Sequence, residues 1–369
     1  MASPMHGLAA LLPSMATLGL DMVALVAGPN FQRIFRWDFH QNERPVVVLL
    51  RRDGKTAAIV PHIEWPSFEP LGFSGEVFLW RDEERFEGAF QAAGAAMGRI
   101  ARLGVEGQRM RVFEQLALAR AFPGGEIVDA HAAISAIRLH KTAEELAEMR
   151  HAIRLSEAAL EQTVRRVRLG MTEREVEGIL IGELFGAGVH ELSFQPIVAA
   201  GGNSAQSHAK ARADYAIQPG DALLFDFGGA INGYRADITR TFFVGQVSDA
   251  DRAFYEAVLA ANEIGRAGAR PGITASTLDD AVLGNLEASP YAAFMRHKTG
   301  HGLGLEVHED PYIMRGNAMI LAPGMVFTIE PGLYEIDRIG VRIEDNVVIT
   351  DAGCEVMTTF PRELRVIGT

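Results

Sequence analysis

The sequence predicts an α/β N-terminal domain over residues 1–138, followed over 139–369 by an α+β domain whose largely antiparallel sheet is covered by helices. Three observations carry that reading. Short β-branched runs alternate with helical stretches in the first third of the chain. Two capping boxes, Thr142 with Glu145 and Thr172 with Glu175, open consecutive helices just beyond residue 138. Five runs rich in valine, isoleucine and phenylalanine then surround a second pair of helices.

Taken in order, Leu8 to Val26 reads as a core-facing helix followed by the strand "DMVALV". It lacks a basic leader and is interrupted by Pro13 and Asp21, so neither a targeting signal nor a membrane span is expected here. The runs "MVALV", "PVVVLL", "TAAIV", "EVFLW" and "MRVFE" are expected strands of a parallel or mixed sheet, with a helical stretch from Arg85 to Leu103. No phosphate-binding glycine fingerprint is present. The segment "FRWDFHQNER", holding Arg36, Trp37, Asp38 and His40, reads as an exposed loop in preference to a ligand contact. After "SAIRLHKTAEEL", Leu146, Met149, Ile153, Leu160, Val164 and Val167 recur at helical spacing up to Gly170, and Val176, Leu180, Leu184 and Phe185 mark the next helix. "SDADRAFYEAVLAANEIGRAG" and "STLDDAVLGNLEAS" form the second helix pair. The expected strands are "FQPIVAAG", "DALLFDFGG", "YRADITRTFFVG", "GMVFTIEPGLYE" and "GVRIEDNVVIT".

Composition narrows the function. With 48% hydrophobic and 22% charged residues, the 369-residue chain can bury two ordinary cores. A net charge of -12 leaves no basic stripe to displace counterions, which argues against nucleic acid as a partner. Cys354 is the only cysteine, so no internal disulfide and no multi-thiolate zinc site can form, and a reducing cytoplasm is the expected location.

The chemistry-bearing residues are acids placed where strands should be apolar. Asp226 ends the run "LLFDF", where an unpaired carboxylate is costly to bury. Asp237 follows eleven residues later past Gly228, Gly229 and Gly233, so a glycine-bearing hairpin can set the two carboxylates on adjacent strands. Glu330 in "VFTIEPG" and Glu344 in "GVRIEDN" complete four acids assigned to sheet interiors. "HKTGHGLGLEVHEDP" adds His301 between glycines, in a chain with only 11 histidines. One buried acid is commonly paired with an arginine; four need a common cause. Two divalent metal ions balance the four charges, and carboxylate-rich ligation with one imidazole favours manganese(II), cobalt(II) or iron(II) over a thiolate-loving site without excluding zinc(II); manganese(II) is the expected metal. Such ions share and acidify a water for attack on a carbonyl. Glu330 could accept its proton, His308 and His208 could donate to the carbonyl or the oxyanion, and Arg342, on the same strand face as Glu344, should point into the site.

Over residues 138 to 365 the chain resembles the proline-specific metallopeptidases of the pita-bread fold, the Xaa-Pro dipeptidases (prolidases) and Xaa-Pro aminopeptidases. The likeness rests on "AAGGNSAQSH", "DFGGAINGYRADITRTF", "HKTGHGLGLEVHEDP" and "FTIEPGLY" with "GVRIED", in that order. It implies that Asp226, Asp237, His301, Glu330 and Glu344 are the dimetal ligands. It also implies that His208 and His308 contact substrate, supported by Arg342, and that the protein is a homodimer with a creatinase/prolidase-like first domain. Ala236 stands where the family commonly has serine, and "RIFRWDFH" replaces the usual tyrosine and glycine of the first-domain loop. His297 reads as structural. Methionine aminopeptidases resemble the second domain alone, and a non-catalytic relative would lack ligands. The expected reaction is hydrolysis of the bond before proline in a dipeptide or short peptide. The alternative is metal-dependent hydrolysis or lysis of a small non-peptide metabolite.

Overall fold

The computed structural model describes residues 4–39 and 41–368. The chain divides into two compact units, Met1–Arg138 and Leu139–Thr369.

In the first unit six strands form one mixed sheet, in the spatial order Glu76–Trp80, Thr56–Pro61, Val47–Arg51, Met22–Val26, Arg102–Val105, Glu126–Asp129. The three central strands run antiparallel to their neighbours among themselves, and the outer pairings are parallel. Both faces of the central strands Thr56–Pro61, Val47–Arg51 and Met22–Val26 are buried, which is why these runs read as continuous apolar stretches. Val23, Leu25, Val48 and Leu50 pack on Phe31, Phe35 and Phe68, while Met22, Ala24, Val47 and Leu49 face Phe90, Met97 and Leu118.

Three local expectations are corrected here. "MRVFE" is not a strand: Val112–Ala121 is a helix, and the buried Glu114 side chain accepts the Arg111 N–H at 2.9 Å, capping its first turn. The helix expected over Arg85 to Leu103 spans only Glu87–Met97, because Gly98 takes a left-handed φ of 75° and ends it. The residues beyond it, Arg102–Val105, form the strand that "MRVFE" was expected to supply. The single N-terminal helix is two, Pro4–Ala9 and Leu12–Leu18, with Pro13 in the first turn of the second, where a missing N–H costs nothing. Phe35 of "FRWDFHQNER" closes the helix Pro29–Phe35, Arg36, Trp37 and Asp38 are exposed, and His40 lies outside the described residues.

In the second unit the two capping boxes form as the spacing requires. Glu145 N donates to Thr142 Oγ1 while Thr142 N donates to Glu145 Oε2, and the same exchange joins Thr172 and Glu175. The helices they start, Ala143–Arg166 and Glu173–Ala187, pack with the strands Ile197–Ala200, Ala222–Phe227 and Ile238–Val244 around Leu160, Leu180, Phe225 and Ile238. The other helix pair, Asp249–Gly268 and Ala275–Glu287, covers Val326–Ile329, Ile339–Arg342 and Asp345–Ile349 through Val258, Val282, Leu278, Val341 and Ile329. Every strand pairing in this unit is antiparallel except that of Ile238–Val244 with Val366–Ile367, so the sheets are largely antiparallel and helix-covered. At the start of the unit the Lys141 ammonium is buried against Glu309 at 2.7 Å. No helix among the described residues is long and apolar enough to cross a membrane.

Candidate metal centre

Strand pairing brings the acids together. Asp226 lies in Ala222–Phe227, opposite Thr239 of the antiparallel strand Ile238–Val244, and Asp237 immediately precedes that second strand. Of the four acids, only Asp226 sits inside a strand. Asp237, Glu330 and Glu344 occupy the residues just off strand ends, where the backbone is free to turn a carboxylate inward. Asp237 is fixed through its backbone: its N–H donates to Asn346 Oδ1 at 3.2 Å, and the Asn346 amide donates to its carbonyl. Glu344 accepts from Thr239 Oγ1 at 2.6 Å, and Glu330 from Thr328 Oγ1 at 3.0 Å. Asp226 accepts from Arg342 Nη2 at 2.5 Å.

His301 owes its position to its glycines. A Cβ on Gly300 would stand 1.9 Å from Thr328 O, and one on Gly302 2.2 Å from Asp310 O, so only glycine lets the flanking strands Val326–Ile329 and Glu309–Ile313 close on it. Its Nδ1 lies 3.1 Å from Gly302 O. With the ring proton donated there, Nε2 turns its lone pair inward. That nitrogen is 3.1 Å from Glu330 Oε1 and 3.7 Å from Asp237 Oδ2. One ligating atom each of Asp237, His301 and Glu344 fall within 4.8 Å of one another. With Nε2 unprotonated these groups are acceptors facing acceptors, a set that could hold a cation, and a hard divalent ion fits its carboxylates and imidazole.

The electrostatics report the same crowding. Burial, reinforced by the neighbouring carboxylates, holds Asp237 and Glu344 well above the ordinary range, and burial raises Asp226 against the pull of Arg342. Burial works to raise Glu330 as well, but in the metal-free site, where His301 Nε2 can carry a proton and donate to it, that bond outweighs burial and brings the group down to about 2.

All eight residues singled out in the sequence line one cavity of about 810 Å³: Asp226, Asp237, His301, Glu330, Glu344, Arg342, His208 and His308. His208, although 93 residues before His301, opens onto it from the segment after Ile197–Ala200, and both outer histidines are exposed. The His308 ring packs edge-on against His301, centroids 4.1 Å apart, and desolvation together with that neighbour lowers it to about 4, so it is neutral near pH 7. Sequence reasoning missed Tyr334, whose hydroxyl lies 2.7 Å from both Arg342 Nη1 and His297 Nε2. It was present in "EPGLY", but nothing in its spacing marks a tyrosine as the joint between an arginine and a histidine. Phe194, Val307 and Lys298 also line the cavity.

Fold and site together define a metallopeptidase, a hydrolase on the pita-bread fold with a creatinase-like first domain. Residues 147–351 match metallopeptidase family M24, and residues 8–140 match the creatinase/prolidase N-terminal domain. The chain belongs to metallopeptidase family M24. It is 36% identical to an uncharacterized peptidase of Bacillus subtilis over 73% of this chain and 76% of that one. To a Xaa-Pro dipeptidase of Lactobacillus helveticus it is 32% identical, over 94% and 95%. Among solved structures, a Xaa-Pro dipeptidase from Bacillus anthracis superposes with a TM-score of 0.91 at 29% identity, covering 99% of this chain and all of that one.

Proposed function

We propose that this protein is a dimetal-dependent peptidase that hydrolyses the bond before proline in Xaa-Pro dipeptides or short peptides, with manganese(II) as its metal. The observation that carries the reading is the convergence of four carboxylates and the His301 Nε2 on one cavity. The similarity to chains named Xaa-Pro dipeptidase supports the substrate class.

Asp226, Asp237, His301, Glu330 and Glu344 would hold the ions. When bound, the ions supply Lewis-acid polarisation of the scissile carbonyl and a water that ionises near neutral pH. The Glu330 carboxylate receives that water's proton and returns it to the leaving nitrogen. Neutral His308, with His208 across the same cavity, donates N–H bonds to the carbonyl oxygen as negative charge grows on it. Arg342 acts through Asp226, holding that carboxylate's second oxygen in place. The bond before proline is a tertiary amide with no N–H, so the cavity need offer no acceptor for one.

Amino-acid release from Ala-Pro and from Ala-Pro-Ala by manganese-loaded protein, with a chelated control, tests the reading. Metal-dependent cleavage of the dipeptide alone marks a dipeptidase, and cleavage of the tripeptide after its first residue marks an aminopeptidase. If the protein binds manganese and cuts neither, the peptide specificity is wrong.

A further inference from the structure

Glu330 and Glu344 are separated by thirteen residues and lie just off the ends of different strands, Val326–Ile329 and Asp345–Ile349, yet both leave the sheet at one point. In the pairing of Val326–Ile329 with Asp345–Ile349, the last partners are Ile329 and Asp345. Glu330 directly follows one strand and Glu344 directly precedes the other. The ladder that sets strand spacing is therefore interrupted at the two carboxylates and resumes beyond them at Gly332 and Arg342.

One side chain spans that gap. Asn262, fully buried on the helix Asp249–Gly268, donates its amide to Ile329 O at 3.2 Å, Ile343 O at 3.2 Å and Asp345 Oδ2 at 3.1 Å. Ile329 and Ile343 are the residues directly before Glu330 and Glu344. The amide's orientation is chemically determined, because its Oδ1 accepts from Arg266 Nε at 2.8 Å and a guanidinium cannot accept. The helix reaches this point because of Gly265, where a Cβ would stand 2.6 Å from Ile329 Cγ2.

We infer that Asn262 is a positioning residue that fixes the separation of Glu330 and Glu344, and through it the affinity of the site for divalent metal. It touches neither metal nor substrate. The inference rests on the ligand assignment proposed above. Without the amide, the Ile329 and Ile343 carbonyls lose their shared donor while Asp345 Oδ2 keeps its bond from Arg362 Nε at 2.6 Å, and between the flanking ladders the two ligand-bearing segments are left joined by the long bond from Ile343 N to Pro331 O at 3.4 Å.

The test is calorimetric titration of metal-free full-length protein with manganese(II), for the wild type, Asn262→Ala, and Leu180→Ala as a variant with a core defect on the other helix pair. Leu180 is fully buried and packs away from Asn262. Asn262→Ala is expected to weaken manganese binding at least tenfold and to lower kcat at saturating metal with KM nearly unchanged, whereas Leu180→Ala lowers Tm but leaves affinity in place. Wild-type affinity in Asn262→Ala, or an equal loss in Leu180→Ala, overturns the inference while the ligand assignment stands. A wild type that binds no divalent metal overturns both, and is recognised before any variant is compared. If Asn262→Ala is recovered unfolded, Asn262→Ser, which keeps one short donor, carries the same expectation with a severalfold loss, and unchanged affinity there again overturns it.

Discussion

At the residue scale the site depends on groups that are poor company for one another until a cation joins them. Glu330→Gln preserves size and its bond from Thr328 but cannot receive a proton, so turnover should fall on the order of 10²–10⁴-fold while the circular dichroism spectrum is unchanged; wild-type rates in the metal-loaded variant would remove Glu330 from its role. Asp226→Asn should lower metal occupancy measured by elemental analysis, and full occupancy would remove Asp226 from the ligand set. These residues were legible in the sequence because a carboxylate at the end of an apolar run violates the patterning of a strand, as Asp226, Glu330 and Glu344 do, and because a glycine-bearing hairpin sets Asp237 beside Asp226. Tyr334 and Asn262 break no pattern: a tyrosine in a strand and an asparagine in a helix are ordinary residues, and their tasks exist only once distant segments are folded together.

At the element scale the three-residue strand Gly300–Gly302 is the tightest piece of the sheet. Gly300→Ala places a methyl group on Thr328 O, so the strand must move, at a cost of about 1–3 kcal/mol or more. Thermal melts should show that loss, and manganese affinity should drop with it because His301 rides on the displaced strand; an unaltered Tm would mean the strands are looser than drawn. Elements announced by side-chain chemistry were legible in advance. Thr142 with Glu145 and Thr172 with Glu175 locate two helix starts to the residue, since a capping box is a local bond between neighbours. "MRVFE" misled because its apolar residues belong to a helix's first turn, where Val112 points to solvent with 71% of its surface exposed. "RLGV" was overlooked because a four-residue strand between two parallel neighbours is defined by tertiary pairing and carries no alternation of its own.

At the scale of the whole molecule, two kinds of charge set stability. Burial, with the repulsion of neighbouring carboxylates added to it, raises Asp237 and Glu344, and a bound cation would relieve both, so manganese at a hundred times its Kd should add about 2.7 kcal/mol of stability. A chelator should reverse that gain in a thermal melt, and a Tm indifferent to metal would contradict the site. In the first unit Glu106 is buried beside Val26 N and the Asn30 amide, each bonded at 2.8 Å; desolvation outweighs those bonds and raises it to about 7. Between its ordinary value of 4.5 and about 7 the folded unit holds a proton that the unfolded chain releases, so stability falls as pH rises through that window, by on the order of 3 kcal/mol. Urea melts from pH 4.5 to 7.5 should show the decline, and Glu106→Gln should flatten it. The buried pair of Lys141 and Glu309 has a consequence for where this chain can be shortened. Lys141 stands two residues after Leu139, at the threshold of the second unit, and Glu309 is the neighbour of His308. A chain begun at Thr142 would keep the whole first long helix, Ala143–Arg166, yet remove the ammonium from a carboxylate that is 5% exposed, at a cost of about 3–5 kcal/mol. A second unit that keeps this ion pair therefore begins upstream of Lys141, so the residues just after the division at Leu139 belong to that unit by charge as well as by sequence.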